Sequence, residues 1–500
     1  MNTVTGIREV TAHAEPRVIL AARARTDFPY RLCLIALFVF SLPIVNPWVR
    51  GDGVGYYAFA RALLIDHNLH FEKDWLSANP SFRQGRVDAN GHLLDSQYTS
   101  TGYLDNHFTI GPAILWAPFL AAAHGAVILA NHLGANIVAD GYSRPYLLAM
   151  AVGTAAYGFA GLLLAFDLAR QYVEERWALL ATLGIWFASS LPVYMYFNPS
   201  WSHAHSAFTA ALFLWYWQRT RSGRSPLQWC LLAAIAGLMM NIYYPNVILL
   251  IVPGVEALAN YFHSLPSGEK GYRNWWALLA GQCLFLLLAV AALAPTFITR
   301  RIIYGSPFAT GYPPIRTWAW GSPKLLAVLF SSDHGILSWT PILAVALAGV
   351  CLLCKRDRIF GYGLLLSFVA FYYFIASYPN WDGISSFGNR FFVSFTPMFV
   401  LGLAVALDGF AHAWWRCDGA FPVACGAVGI FVLWNLGFIF QWGTQMLPAR
   451  GEISWSEMVH NQYAEVPRRV TFSLDNYFLR RMGMMQEIEK QDLRRSVQAP

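Results

Sequence analysis

The stretch PWVRGDGVGYYAFARALLIDHNLHF (residues 47–71) directly follows the first long apolar block of the chain, residues 31–49. Glycines on both sides of Asp52 predict a turn at this point. Apolar residues at positions 56, 59, 60, 63 and 64 then repeat with the spacing of one helix face, which is typical of a helix lying along a membrane surface. The stretch therefore predicts a spanning helix that ends in a turn and is followed by an interfacial helix.

The whole chain has the composition of a membrane protein. Of its 500 residues, 56% are apolar, 16% are aromatic and only 13% are charged, whereas soluble domains carry about 25% charged residues. The apolar residues fall in blocks of roughly 16 to 24, and about 20 are needed to cross the hydrocarbon core as a helix. The predicted fold class is therefore an all-α polytopic membrane protein.

The blocks and the segments between them predict the topology. The apolar blocks cover residues 31–49, 108–131, 145–168, 177–196, 203–219, 226–241, 245–262, 275–298, 336–354, 359–377, 391–410 and 421–442. The basic connectors are residues 169–177, 218–226, 267–274 and 354–358. Basic connectors stay on the cytoplasmic side, and so does the arginine-bearing N-terminal tail, residues 1–30.

This assignment requires that one apolar block does not cross. Two blocks lie between the outer segment that starts at residue 50 and the cytoplasmic connector 169–177. Residues 108–131 contain two prolines and a histidine, so we predict an interfacial or re-entrant helix there. About eleven spans then remain. The membrane domain covers residues 31–442, its first outer loop covers residues 50–144, and residues 443–500 form a short periplasmic tail.

The charge and the cysteines exclude other classes of protein. The net charge of +7 comes from residues that cluster between apolar blocks, so nucleic acid is not an expected partner. The seven cysteines lie in apolar blocks or on the cytoplasmic side, and they do not indicate a disulfide framework. The GDGVG string lacks the spacing of a nucleotide-binding fingerprint, and no strand precedes it.

Asp52 is the first candidate for chemistry. At the N-terminus of the predicted interfacial helix, the helix dipole favours an ionised carboxylate. One interpretation is a helix N-cap, and the other is a general base at the membrane face.

Cations on the outer side are the second candidate, because the topology rule disfavours them there. Arginine pairs with phosphate through two hydrogen bonds, so these residues indicate contact with a lipid phosphate, although simple loop solvation is the alternative. The residues concerned are Arg300, Arg301, Arg316, Lys324 and Arg390.

Other outer segments carry polar and aromatic side chains that could bind a substrate. They are His203, His205, Asp333, His334, Trp381 and Asp382. A divalent metal is one interpretation of the histidines, but two histidines one residue apart on a helix diverge by about 200°. Hydrogen bonding to substrate or packing is the other interpretation, and the aromatic rings could stack on sugars.

The order of these features resembles the GT-C glycosyltransferases, which include lipid A aminoarabinose transferases, protein O-mannosyltransferases and oligosaccharyltransferases. The resemblance covers residues 30–410 in layout and is most specific at GDGVGYYAFARALL, residues 51–64. The tracts FSSDHGILSWTP (330–341) and SSFGNRFF (385–392) look like those of uncharacterised bacterial membrane proteins of this type.

The resemblance implies a fold, a reaction and a compartment. Members transfer a sugar from a polyprenyl-phosphate carrier to a glycan, lipid or protein acceptor, with a carboxylate of the first outer loop as base. Asp52 is the matching position, in a bacterial inner-membrane protein whose active site faces the periplasm. Inversion at the anomeric carbon is implied, with the phosphate leaving against Arg390 or the cations of residues 300–324. The helix that bears Tyr56, Tyr57 and Arg61 would lie under the head of the carrier lipid.

The resemblance leaves two questions open. Many members carry two adjacent acids where this chain has Asp52 and Gly53. A second acid would therefore come from elsewhere, and the candidates are Asp66, Glu72, Asp74 and Asp333. No cofactor is expected, and a divalent metal is the open alternative.

Three other functions fit part of the sequence. A transporter or flippase of lipid-linked sugars would also use outer cations and aromatic loops, but few charges lie in the spans and no internal repeat is visible. A polysaccharide polymerase or ligase is the second alternative. The third is a membrane subunit without chemistry of its own.

Overall fold

A computed structural model describes residues 30–221, 223–264, 268–414, 419–448 and 453–498. The predicted N-terminal tail therefore lies, except for Tyr30, outside the described residues. Within the described part, regular structure is helical apart from two isolated bridges, Val87 with Leu93 and Tyr98 with Leu104. The predicted all-α class is confirmed at this level.

The α-helices follow one another along the whole chain. They are α1 (Tyr30–Ser41), α2 (Asp52–Arg61), α3 (Glu72–Ser77), α4 (Pro80–Arg83), α5 (Gly111–His132), α6 (Arg144–Ala169), α7 (Glu175–Phe187), α8 (His203–Thr220), α9 (Pro226–Ile242), α10 (Ile251–Ser264), α11 (Gly268–Ala291), α12 (Ala294–Tyr304), α13 (Leu325–Phe330), α14 (Ile336–Trp339), α15 (Ile342–Arg356), α16 (Arg358–Ser377), α17 (Thr396–Trp414), α18 (Ala420–Gly443), α19 (Trp455–His460), α20 (Val466–Leu479) and α21 (Arg481–Gln498). Two π-helical turns, Ala62–Asp66 and Val193–Phe197, follow α2 and α7.

Seven helical stretches in the described part are long and apolar enough to cross a membrane. They are Gly111–His132, Arg144–Ala169, Tyr244–Phe262, Trp275–Tyr304, Arg358–Ser377, Arg390–His412 and Ala420–Gly443. Tyr30–Ile44 and Pro226–Ile242 are apolar but shorter. The chain therefore has the helices of an all-α membrane protein, while the predicted number of about eleven spans stays a prediction.

α17 forms the centre of the helix packing. Its span is almost completely buried, and its closest partner is α15. A Cβ atom built on Gly349 of α15 would lie 1.7 Å from the backbone oxygen of Gly402 in α17. Small residues at both positions let the two backbones approach, which is a common way of packing helices in membranes.

Basic connectors meet at one end of the molecule. Tyr172, from connector 169–177, donates a hydrogen bond to Asp357 at 2.9 Å, and Arg221 of connector 218–226 pairs with the same carboxylate at 2.7 Å. Arg31, near the start of α1, forms an ion pair with Asp167, which lies near the end of α6 and just before connector 169–177. α6 therefore ends at the side of the molecule where the predicted cytoplasmic connectors lie.

α5 accompanies only the first half of α6. Trp116 donates to Thr154 at 2.8 Å, and His124 lies 2.7 Å from the hydroxyl of Tyr146, so the two helices are antiparallel. α6 runs toward the connector end, so α5 runs away from it, starting beside the last residues of α9, where Thr109 donates to the oxygen of Ile242. This geometry favours the prediction that residues 108–131 do not cross, although the helix is continuous rather than re-entrant and long enough to span.

The C-terminal segment, residues 453–498, packs against the beginning of the first outer loop. Tyr477 donates to the oxygen of Ile44, and Arg481 donates to the oxygen of Val45 at 2.6 Å. Glu489 of α21 accepts hydrogen bonds from residues 79 and 81 at the start of α4. The segment predicted to be a tail is thus a helical layer on the end of the molecule opposite the connectors.

Candidate active site at the start of α2

Asp52 is the first residue of α2, and the backbone before it is fixed by Gly51. The φ angle of Gly51 is 55°, in the left-handed region that glycine adopts without strain. Gly51 occupies the N-cap position, and no side chain caps this helix. The N-cap interpretation of Asp52 therefore does not describe its position, and its carboxylate is held by another partner.

That partner is Arg390. Its Nη1 atom lies 2.7 Å from Oδ2 of Asp52, and the guanidinium lies over the ring of Trp201 at 4.4 Å. The Arg390 side chain is only 11% exposed, whereas that of Asp52 is 33% exposed. The pair thus joins a carboxylate that is accessible from outside to a cation embedded behind it.

Trp201 also fixes the chain on the other side of Asp52. Its indole nitrogen donates to the backbone oxygen of Arg50 at 3.0 Å, and the ring packs near Gly51. The segment that carries Trp201 lies so close to α2 that a Cβ atom on Gly53 would lie 1.9 Å from Oγ of Ser200. This contact leaves no room for a side chain at position 53, so a second acid cannot stand next to Asp52 without a shift of the backbone.

A cavity of about 2050 Å³ opens in front of Asp52. One part of its wall is polar and includes Arg50, Asp52, Asp105 and His107. Apolar side chains of α18, α20 and residues 187–197 form another part of the wall, with polar residues such as Gln445, Glu457 and Gln462 among them; the apolar ones include Ile430, Leu433, Phe440, Leu474, Phe478 and Phe187. A cavity with both polar and extended apolar walls suits an amphiphilic molecule better than a free sugar.

The residues of α2 are mostly buried. Tyr56 is 7% exposed, and burial together with the Asp52 carboxylate raises its pKa, so its phenol stays protonated at neutral pH. Tyr57 is also buried and donates to the oxygen of Gly141 at 2.5 Å. Tyr56 is thus close enough to Asp52 to respond to its charge, whereas the hydroxyl of Tyr57 is bound to another part of the chain.

Arg61 is paired with two acids inside the protein. It donates to Asp74 through two nitrogens, at 2.6 and 2.7 Å, and to Asp66 at 2.8 Å. Its side chain is 1% exposed. Arg61, Asp66 and Asp74 therefore form an internal ion-pair network at the far end of α2, outside the wall of the cavity.

The two histidines of α8 face different neighbours. His203 is buried among aromatic rings, with the ring of Tyr194 at 4.6 Å. His205 is fully buried, and its ring lies 5.0 Å from that of Trp116. Their rings diverge as the helix geometry predicts, so they do not form a joint site for one ion.

The outer cations are dispersed. Arg316 and Lys324 are exposed, and neither lines the cavity. Arg300 is buried and donates to the backbone oxygens of His107 and Phe108, at 2.5 and 3.1 Å. Arg300 therefore fixes the backbone of residues 107 and 108, just before α5. Of the five predicted cations, Arg390 is the one that pairs with Asp52.

Asp333, His334 and Asp382 come together in a second cluster. One ligand atom of each lies within 4.8 Å of the others, so the group could hold a metal ion by its geometry. Nδ1 of His334 lies 2.9 Å from the backbone oxygen of Asp382, and burial lowers the pKa of this histidine to about 4. Trp381 accepts a hydrogen bond from Asn389 next to Arg390. This cluster supports the loop that carries Arg390.

The sequence analysis does not single out several polar residues of the cavity wall, among them Arg50, Asp105 and His107. Asp105 accepts a hydrogen bond from Tyr304, and burial lowers the pKa of His107, so its imidazole is neutral at neutral pH. None of the four predicted candidates for a second acid lines the cavity; they are Asp66, Glu72, Asp74 and Asp333. Asp105, which was not among them, does line it. No sequence motif indicates Asp105 or His107. They lie near α2 because Asn106 between them donates a hydrogen bond to the backbone oxygen of Gly55, a contact between distant parts of the chain.

Comparisons with models of known protein families and with curated proteins found no match for this chain.

Proposed function

We propose that this protein is an integral-membrane glycosyltransferase that transfers a sugar from a polyprenyl-phosphate carrier, with Asp52 as the general base. The observation that carries the proposal is the accessible Asp52 carboxylate, paired with Arg390, at a large cavity whose wall also includes many apolar side chains of α18 and α20. We further propose that the reaction takes place on the periplasmic face of a bacterial inner membrane.

The shape of the cavity supports a lipid-linked donor. A water-soluble sugar nucleotide has no apolar part that would require walls such as Leu433, Phe440 and Phe478. A polyprenyl phosphate has a long hydrocarbon chain and an anionic head, and it matches both ends of the cavity. The acceptor, a glycan, lipid or protein hydroxyl, would approach Asp52 from the polar end.

The proposed step is a direct displacement. Asp52 accepts the proton of the acceptor hydroxyl, whose oxygen forms a new bond to the anomeric carbon of the donor sugar. The bond between this carbon and the phosphate oxygen breaks, and its electron pair leaves with the polyprenyl phosphate. Attack opposite to the leaving group inverts the anomeric centre.

Arg390 would position the base. Its guanidinium holds one oxygen of Asp52 and is itself fixed on Trp201. A fixed carboxylate costs no further ordering when the acceptor binds, and positioning of this kind contributes strongly to rates. The positive charge also stays next to the site after Asp52 has accepted its proton.

The test is the substitution Asp52→Asn. An amide keeps the shape of the side chain but cannot accept the proton, and loss of a general base costs about 10²- to 10⁴-fold in rate. Product formation from a polyprenyl-phosphate sugar would be measured with purified, folded protein between pH 5 and 9. The matched control is Asp95→Asn, which removes an exposed carboxylate from the same outer loop.

We expect near-complete loss of turnover for Asp52→Asn and unchanged turnover for Asp95→Asn. A variant that keeps more than about a third of the turnover would exclude the base role. Efficient transfer from a nucleotide sugar without carrier lipid would exclude the proposed donor. Uptake of lipid-linked sugar without any covalent product would indicate a transporter instead.

A further inference from the structure

Arg50 lies at the cavity two residues before Asp52. Its side chain is 24% exposed and lines the cavity, and its guanidinium lies over the ring of Trp48 at 4.4 Å. Arg390 does not line the cavity, because it lies behind Asp52. Arg50 is therefore a cation of the wall that an anion inside the cavity can reach.

In the structure, Arg50 forms an ion pair with a carboxylate of the C-terminal segment. Asp492 of α21 forms an ion pair with the Nη2 atom of Arg50 and accepts a second hydrogen bond from Gln445 at 2.9 Å. Asp492 also lines the cavity. An acid of the chain itself thus sits where an anionic ligand would meet this arginine.

α21 is held over the first outer loop by polar contacts of Glu489 and Asp492. Glu489 accepts hydrogen bonds from the side chain of Asn79 at 2.8 Å and from the backbone of Ser81 at 2.5 Å. Apart from these contacts, the ion pair with Arg50 is its main charged connection to the outer loop. Arg481, the first residue of α21, also donates to the backbone oxygens of Pro43 and Val45, so the release of Asp492 from Arg50 concerns the residues of α21 that follow this anchor.

The apolar part of the cavity includes exposed side chains of α18. Ile430 and Leu433 line it, and both are 70% exposed on α18, which is apolar enough to cross a membrane. Leu474 and Phe478 of α20 form the facing wall. A molecule that enters between α18 and α20 comes from the bilayer, so the occupant of this part is a hydrocarbon chain.

We propose that Arg50 binds the phosphate of a polyprenyl phosphate whose chain lies between α18 and α20, and that Asp492 occupies Arg50 when the lipid is absent. α21 then acts as a cover that the phosphate displaces. A phosphate monoester carries more charge than a carboxylate and offers arginine three acceptor oxygens instead of two, so it competes with Asp492 for this site. The identity of the lipid rests on the proposed function, whereas the contact between Arg50 and Asp492 does not.

The experiment measures equilibrium binding of a sugar-free C55 polyprenyl phosphate to the purified full chain in lipid nanodiscs. Asp492→Asn removes the competing charge, so we expect binding to tighten by about 10-fold. Arg50→Gln should weaken binding by about 10-fold or more and abolish the effect of Asp492→Asn in the double variant. The matched control is Asp475→Asn, which removes an exposed carboxylate from α20 and should not change binding.

Three further ligands identify what is bound. Polyprenol, which lacks the phosphate, should bind equally to the wild type and to both variants. Inorganic phosphate should not compete at the concentrations at which the lipid binds. Competition by phosphatidylglycerol as strong as that by polyprenyl phosphate would overturn the assignment, because the site would then accept any anionic lipid.

The failure of this inference differs from that of the proposed function. Equal binding by the wild type and Asp492→Asn, or binding that is insensitive to Arg50→Gln, would overturn the inference even if Asp52→Asn abolishes transfer. Conversely, binding that depends on Arg50, in a protein that forms no product, would support the inference and contradict the glycosyltransferase.

Discussion

Gly53 is the residue whose size most directly sets the position of Asp52. A Cβ atom at this position would lie 1.9 Å from Oγ of Ser200 and 2.6 Å from its Cβ atom. Contacts this short force the backbone apart. Trp201 follows Ser200 in the chain, and the guanidinium of Arg390 stacks on its ring. A shift of Ser200 would therefore also move Arg390, the partner of Asp52.

We predict that Gly53→Ala lowers both stability and turnover. Alanine in an ordinary helix is favourable relative to glycine, but overpacking costs about 1–3 kcal/mol. The matched control is Gly125→Ala in α5, where nothing lies within 4 Å of the added atom. Thermal unfolding and product formation would be compared for the two variants, and equal behaviour would contradict the close contact at Ser200.

His334 links the stability of the site to pH. Burial lowers the pKa of His334 in the folded protein to about 4 from its ordinary value of 6.5, so the unfolded chain takes up the proton first as the pH falls. The stabilising effect of neutral His334 is complete above pH 6.5 and is lost progressively between pH 6.5 and 4. With about 1.4 kcal/mol per pKa unit, the total loss is about 3 kcal/mol.

We predict that His334→Asn removes this part of the pH dependence. Asparagine tolerates the positive φ angle of 61° at this position, and its amide could still donate to the oxygen of Asp382. In detergent, the wild type should lose more thermal stability than the variant between pH 7 and 4.5. The exposed His92 provides the control variant His92→Asn, which should follow the wild type. Parallel curves for His334→Asn and the wild type would be inconsistent with a buried neutral histidine.

At the scale of single residues, the sequence predicted Asp52 and Arg390 separately but not their ion pair. Their types and positions relative to the apolar blocks could be read from the sequence, because the topology rule disfavours a cation such as Arg390 on the outer side and Asp52 lies in the turn before the predicted interfacial helix. Their contact depends on Trp201, which joins the start of α2 to the loop before α17. For Arg61 the partners are close in sequence: the sequence analysis names Asp66 and Asp74 as candidates for a second catalytic acid, and in the structure both pair with Arg61.

At the scale of elements, α5 shows what prolines do and do not predict. Pro112 lies in the first turn, where its missing N–H would have no partner in any case, and Pro118 lies inside the helix without ending it. The backbone thus passes both prolines as one helix of 22 residues. The interfacial or re-entrant element that does not cross stays a prediction, and the antiparallel direction of α5 relative to α6 favours it.

The position of α5 can be tested by chemical labelling. In a variant without the natural cysteines, Asn90→Cys lies before α5 and Asn136→Cys lies after it, and both positions are exposed. If α5 does not cross, both should react with an impermeant thiol reagent from the outer side. Lys355→Cys, at the connector end, should react only after permeabilisation. Protection of Asn136→Cys alone would show that α5 spans the membrane.

At the scale of the whole molecule, the sequence predicted the all-helical class and the grouping of the basic connectors at one end. Both follow from composition and from the order of apolar blocks, which are local properties. The role of residues 453–498 could not be predicted, because their partners lie at positions 43–81, hundreds of residues earlier. The large cavity exists only because this C-terminal segment lies over α18 and the first outer loop.

The exposure of Ile430 and Leu433 at the cavity also determines how the concentration of a lipid ligand has to be expressed. A lipid that enters between α18 and α20 stays in the bilayer throughout its approach, so the search for the site is a diffusion in two dimensions. Saturation then depends on the mole fraction of the carrier among the other lipids and not on its amount per volume of water. If the protein is the transferase proposed above, a cell can regulate it by changing the composition of its membrane, without altering either the protein or the total quantity of carrier.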